Sequence, residues 1–284
     1  IPYDCGVTME KQLELAYEKN IDILFVTNHN TLNGYKQICD YKENHKKYKD
    51  ITIYPAEEIT VDTKGHILAY GINKTIKPAM TIDETLDEIK RQNGVSCAAH
   101  PFAVSNGIRE KAIKCNLIES FNSNNIDSYS NIAAAKFAKE KNMISVAGSD
   151  SHIESTLGRC INTIQSENNL DSILEGMLKG SVKIQKSDYA LKKELFEHAH
   201  YILSSSKDNL LEYVSENHRS TYSFIKLALN SFLSNPDSQL WKLLRSLALY
   251  LSKTMSHKEN IRRLNPPAFV NRSCTTLISV SLNR

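Results

Sequence analysis

No two cysteines of this chain share a CxxC spacing. The six that occur, Cys5, Cys39, Cys97, Cys115, Cys160 and Cys274, stand singly. That pattern excludes a CxxC zinc or redox motif and reads as the reduced thiols of a cytoplasmic protein, not a disulfide framework. No apolar run approaches the roughly 20 residues a membrane span needs. The sequence shows no leader pattern. A Gly-rich phosphate loop of the P-loop or dinucleotide type is also missing, which argues against a nucleotide cofactor. Charge of one sign is scarce: the net charge is +3 over 284 residues. So small an excess makes no case for nucleic acid as a stable partner.

What is present is ordinary in bulk and specific in detail. Hydrophobic residues make up 41% and charged residues 24%, as in soluble globular proteins. The length suits one large barrel or two modest domains. Helical spacing runs over Thr8–Lys19, Thr31–Lys47, Thr81–Gln92, Ser130–Lys141 and Leu170–Lys179, with Thr8 and Thr81 placed as N-caps ahead of first-turn carboxylates. Between these lie short β-rich runs: Ile21–Thr27, Ile51–Pro55, Gly65–Gly71, Gly94–Ala99, Leu117–Phe121, Ile144–Gly148 and Cys160–Thr163. The alternation predicts a parallel sheet with crossover helices, and about seven repeats fit a closed or nearly closed barrel. From about Ser187 strand-like runs disappear and only helical patterns follow. The expected organisation is a metal-binding barrel over 1–186, a helical appendage over 187–264 and a loosely attached tail over 265–284.

The chemistry gathers at the strand ends. The first strand runs into Asn28-His29-Asn30, the second into Glu57-Glu58, and the third carries His66. The fourth ends at His100, the fifth contains Glu119 and meets Asn122, and the sixth leads to Asp150 and His152. Asp4 stands just before the first helix. Imidazole plus carboxylate is the donor mix of Zn, Mn or Fe sites, and several carboxylates permit bridging between ions. Each residue alone has a blander explanation: His100 a rigid turn residue before Pro101, Asp150 a turn cap, Glu58 a solvated acid. Those explanations must hold independently at five or six places on one rim, and we prefer convergence.

These segments resemble a known family. Asn28-His29-Asn30-Thr31-Leu32, Glu57-Glu58-Ile59-Thr60, Gly65-His66-Ile67-Leu68, Ala99-His100-Pro101-Phe102, Ile118-Glu119-Ser120-Phe121-Asn122 and Ser149-Asp150-Ser151-His152 are similar to the ordered motifs of the PHP (polymerase and histidinol phosphatase) superfamily, over about residues 3–165. The resemblance implies an α/β fold, a distorted (βα)7 PHP-type barrel, with two or three divalent ions (Zn, Mn or Fe) and hydrolysis of phosphoesters. It implies metal ligation by Asp4, His29, Glu58, His100, Asp150 and His152. His66 and Glu119 occupy recurrent family positions and are placed around the ligands or facing substrate.

Two departures accompany the resemblance. The family carries a His-x-His pair on a strand ahead of the Asp4 position, and this sequence has no such pair. Either that strand is missing from the sequence or the chain is a degenerate member with fewer ligands. Asn28 stands where the family usually has Asp, which keeps hydrogen bonding and drops the charge.

The expected activity is metal-dependent hydrolysis of a phosphomonoester or nucleotide-type substrate. His100, His152 or His66 serves as proton donor to the leaving oxygen, and Arg159, Glu119 and Asn122 face substrate. Alternatives are a non-catalytic or regulatory PHP module and an amide hydrolase on the same centre. The apolar, basic stretch Leu240–Leu251 is compatible with a membrane surface; packing on the barrel or a second subunit is the preferred reading. Oligomeric state is not legible.

Overall fold

The computed structural model describes residues 5–264. Asp4 and the expected tail over 265–284 lie outside the described residues. The first two thirds mix helices and strands: α1 (Met9–Glu18), β1 (Ile23–His29), α2 (Asn33–Glu43), β2 (Thr52–Thr60), β3 (His66–Tyr70), α3 (Ile82–Arg91), β4 (Val95–Ala98), β5 (Leu117–Asn122), α4 (Ser128–Glu140), β6 (Ile144–Gly148), β7 (Cys160–Ile164), α5 (Leu170–Leu178) and β8 (Val182–Ser187). Four helices follow: α6 (Lys192–Ser205), α7 (Lys207–Asn217), α8 (Tyr222–Ser234) and α9 (Gln239–Leu264). Helix starts obey local capping. Thr8 accepts from Lys11 N–H, and Thr81 forms a full capping box with Glu84. Asp127 accepts from Tyr129 and Ser130 N–H at the start of α4.

One sheet holds six strands in chain order, β1 to β6, while β7 and β8 form a separate two-stranded ribbon. The expected all-parallel sheet is not what forms. β2 pairs antiparallel with β3, and β3 antiparallel with β4. The segment between β2 and β3 is only the turn at residues 61–65, closed by Val61 N–H to Gly65 C=O and Lys64 N–H to Val61 C=O. A parallel return needs a crossover of a dozen or more residues, so so short a connection imposes a hairpin. β8 also departs from expectation, since the strand-like runs of the sequence end at Cys160–Thr163. Its burial alternates along the strand, the mark of a ribbon with one open face.

The sheet is strongly curled. Laid flat, six strands would set β1 and β6 about 24 Å apart. Yet the rings of His29, at the end of β1, and His152, four residues past β6, have centroids 6.3 Å apart. The inner face carries Phe25, Leu68, Tyr70, Cys97, Leu117 and Val146, closed below by Ile173, Leu174 and Met177 of α5. The outer face is covered by α1 and α2 on one side and by α3 and α4 on the other. The ribbon joins the open edge through a side chain: Asn162 donates to Ala147 C=O at 2.8 Å and accepts from Ala147 N–H at 2.9 Å.

α9 docks on the barrel through its second half. Asn260 of α9 donates to the Phe102 carbonyl at 3.3 Å and to Ser130 Oγ at 3.4 Å, and His257 packs on Tyr129. Its first half leaves Leu240, Leu243, Leu247, Tyr250 and Leu251 exposed. Among the described residues no helix is long and apolar enough to cross a membrane.

Glu57 shows what strand alternation does with adjacent acids. It points away from the inner face, is fully buried, and accepts from Ile76 N–H at 3.0 Å through Oε2; Oε1 has no partner among the described residues. Burial pushes its pKa up to about 7, against the lowering effect of the Ile76 bond. The folded state therefore holds more protons than the unfolded state between the two pKa values, and stability falls as pH rises through that window. Glu57→Gln removes this titration. Chemical denaturation should show the variant gaining on the parent chain between about pH 4.5 and about pH 8; equal pH slopes would contradict it. Thr81→Ala should cost about 1 kcal/mol of unfolding free energy, read from the same denaturation curves.

Candidate metal centre

Glu58 lies one residue on, facing inward at the upper rim, with a side chain 8% exposed. Three imidazoles surround its carboxylate. His66 Nδ1 lies 2.6 Å from Oε1, His100 Nε2 3.2 Å from the same oxygen, and His29 Nε2 3.7 Å from Oε2. They come from the end of β1, the start of β3 and the turn after β4. His66 opens its strand yet shares the rim with strand ends, because β3 runs antiparallel to β2. Burial alone would raise the Glu58 pKa. Hydrogen bonds from His100 and His66 and the charge of His29 outweigh it and hold the carboxyl well below the usual range. Burial likewise works against protonated His100, but Glu58 and the charges of Asp150 and Glu119 push its pKa up to about 9.

This cluster suits a cation. One donor atom each from His29, Glu58 and His66 lie within 4.8 Å of one another. Ligand atoms about 2.0–2.2 Å from a shared ion stand within roughly 4.4 Å of each other, so small rotations bring them to it. Nitrogen with carboxylate oxygen is the donor set of Zn, Mn or Fe. His100 Nδ1 is buried with no partner among the described residues, a polar atom the protein alone leaves unsatisfied.

Asp150 and His152 approach from the loop after β6. His152 Nδ1 lies 2.9 Å from the Asp150 carbonyl and 3.5 Å from its carboxylate. A carbonyl only accepts, so Nδ1 carries the hydrogen and Nε2 is the atom turned from the loop. The backbone is strained where the chemistry is: His100 has φ 27° and Asp150 φ 47°, in the left-handed region that costs a non-glycine residue energy. Glu119 helps hold the first of these. It accepts from His100 N–H at 2.7 Å and from Asn122 Nδ2 at 2.9 Å. Burial pushes its pKa up to about 7, with His100 and Asn122 acting in the other direction. Gly148 leaves it room, since a Cβ there would stand 1.7 Å from Glu119 Oε1.

The structure thus brings His29, Glu58, His66 and His100 into contact and sets His152 beside His29, with Asp150 at its base. His66, expected around the ligands, touches the central carboxylate itself. Glu119 and Asn122, expected to face substrate, are 4% and 1% exposed and tether the His100 turn. Arg159 pairs with Glu194 of α6 and ties that helix to the barrel. Asn28 faces away from His29 and lies against Gly34 of α2, so it neither orients nor balances that imidazole. His198 lies on a helix, outside the strand-end pattern, and its ring stacks on His152 with centroids 4.3 Å apart. Solvent reaches the centre at His29, His66, Asp150 and His152, whose side chains are 20%, 13%, 15% and 15% exposed. A groove of about 690 Å³ between α1 and α6, lined by Lys19, Ile153, Glu197 and Tyr201 among others, lies beside this mouth, and none of the clustered histidines lines it.

Known proteins resemble the chain as follows. The family described as PHP-associated matches residues 128–182, from α4 into β8, a segment that includes Asp150 and His152. An uncharacterized protein of Methanocaldococcus jannaschii is 29% identical over 132 residues, covering 45% of this chain and 74% of that protein. Among solved structures, PsfC of Pseudomonas syringae is 15% identical with a TM-score of 0.49, covering 69% of this chain and 88% of PsfC. A candidate metal-dependent phosphoesterase of Bifidobacterium adolescentis is 13% identical with a TM-score of 0.43, covering 71% and 92%. At these scores neither structural likeness carries an argument. The PHP-associated match takes in Asp150 and His152 and agrees with the PHP resemblance of the ordered histidine and carboxylate motifs over residues 28–152.

Proposed function

We propose that the chain is a metal-dependent hydrolase of phosphoesters, acting on a small phosphomonoester or nucleotide-type substrate through a dinuclear or trinuclear centre of Zn, Mn or Fe. The curled sheet is read as the larger part of a distorted (βα)7 barrel. One observation carries the reading: a desolvated carboxylate, Glu58, ringed by three imidazoles at an open rim. A soluble-surface acid has no reason to be so enclosed, and an enclosed acid with this donor company is suited to divalent cations.

In this reading His29, Glu58, His66, His100, Asp150 and His152 are the residues that would hold the ions. Asp4 is kept as a further ligand by family resemblance. Bound divalent ions supply charge neutralisation of the phosphoryl oxygens and a water nucleophile at neutral pH. The protein supplies the rest. Glu119 fixes the His100 turn through its backbone N–H, and the Asp150 carbonyl fixes the tautomer of His152. The buried floor of Glu58 and His100 excludes water from below, while the open side at His29, His66 and His152 admits substrate. Whichever of His66, His100 and His152 the ions leave unligated would protonate the leaving oxygen. No stable nucleic-acid partner is proposed.

The test is metal content by elemental analysis beside turnover of p-nitrophenyl phosphate with added Mn or Zn. We expect two or three ions per chain and measurable turnover, and Asp150→Ala should lower both metal affinity and turnover by about 100-fold. Filled sites without turnover on a panel of phosphoesters would replace the enzyme with a non-catalytic metal-binding module.

A further inference from the structure

The two sides of α9 meet different surroundings. On one side Trp241 packs edge-on against Phe232 of α8 and donates through Nε1 to Ser231 Oγ at 3.1 Å. Arg245 lies over the Phe196 ring of α6 and pairs with Asp237, and Lys192 of α6 donates to Ser246 Oγ at 3.3 Å. Further on, Ser256 and Asn260 are buried against Ser130 of α4. On the other side stand Leu240, Leu243, Leu247 and Tyr250, between 50% and 67% exposed. They recur at intervals of three and four, and Leu244, Leu251 and Met255, 38%, 52% and 60% exposed, widen the stripe.

This is more apolar surface than a monomer ordinarily shows. The seven side chains amount to roughly 800 Å², the share each partner brings to a standard protein interface. The largest patch of a typical monomer is about 300–600 Å². The repeat is that of a helix–helix seam, with Leu240, Leu243, Leu247 and Tyr250 at a and d positions of successive heptads. It is also symmetric about Leu247. Leu244 and Tyr250 lie three residues to either side, Leu243 and Leu251 four, and Leu240 and Thr254 seven. The Thr254 hydroxyl donates to the Tyr250 carbonyl at 2.9 Å, which leaves its methyl group for the stripe.

A two-fold contact requires residue i to meet residue j and j to meet i. Two copies of α9 laid antiparallel and crossing at Leu247 satisfy this with an apolar group at every one of these positions. A lipid surface fits less well. Interfacial helices place cations along the borders of the apolar face. Here Arg245 is engaged by Phe196 and Asp237, and Lys242 and Lys253 leave the helix more than about 100° away from the Leu247 direction.

We propose that the stripe on the first half of α9 is a self-association surface, whose occupant is the same stripe of a second copy of this chain, antiparallel across Leu247. The second half of each α9 stays docked on its own barrel through Asn260. The inference is independent of the metal-centre reading.

The test is sedimentation of the whole chain at about 50 µM, above the micromolar Kd of the weakest interfaces of this size. The parent chain should sediment with twice its own mass. Leu247→Glu sets two carboxylates against each other on the two-fold axis and should raise the dimer Kd by more than about 100-fold, and Leu243→Glu should also weaken the pair. The double variant Leu243→Glu, Leu251→Lys brings opposite charges together in both halves of an antiparallel pair and should restore the dimer. These positions are exposed in the single chain, and circular dichroism checks that helix content persists. A monomeric parent chain overturns the proposal, and co-sedimentation of that monomer with vesicles of phosphatidylserine and phosphatidylcholine would give the stripe to a membrane instead. A dimer that survives Leu247→Glu overturns it as well, and so does failure of the double variant to recover what Leu243→Glu loses.

Discussion

A carboxylate taken out of water must be compensated on the spot, and Glu58 sets that demand at the heart of this protein. Its oxygens meet imidazole nitrogens at 2.6, 3.2 and 3.7 Å. An isolated buried charge is costly unless paired or bound to a cation. Each surrounding histidine comes from a different strand or turn, so the electrostatic need of one side chain is met only by the assembled fold. Strained turns at His100 and Asp150, with φ 27° and 47°, lie beside this cluster. Glu119, Asn122 and Gly148 form the frame that keeps the His100 turn in place.

The curl of the sheet is the second requirement. A flat sheet would leave the ends of β1 and β6 on opposite edges, and His29 and His152 would face different solvent. Curling is what the inner-face residues allow: aromatic Phe25, Tyr54 and Tyr70 crowd one side while Ala, Cys and Val line the other. The Asn162 amide, which borrows the hydrogen-bonding groups of Ala147, continues the wall beyond β6 where regular pairing stops. α6 then closes one flank of the mouth. The C-terminal helices thus serve the rim as well as the outer surface, with α9 docked near the Phe102 turn.

Much of this was legible in the sequence because small apolar runs ending in His or Asp are uncommon in loops. Those runs place β1, β4 and β6, and the threonine caps place α1 and α3 within a residue. Strand direction was harder to read. The pattern inside a strand buried on both faces carries no sign of polarity, and Pro55 masked the length of β2. It sits at the end of the β2–β3 ladder, accepting from Gly71 N–H, so its missing donor costs only a terminal bond. A β2 ending at Pro55 leaves no hairpin at residues 61–65 and gives no reason for His66 to join the strand-end side chains. His198 was invisible for another cause: a helical histidine acquires its meaning from the face of the helix that meets the barrel, and that is a tertiary fact.

The account stands or falls on whether the Glu58 cluster holds ions. Crystals of the chain grown with Mn²⁺ and measured on both sides of the manganese absorption edge would answer this directly. We predict an anomalous peak within coordinating distance of His29, Glu58 and His66, with a second toward Asp150 and His152. Density showing Glu58 hydrogen-bonded only to its imidazoles, with no anomalous scatterer at the rim, would contradict the account.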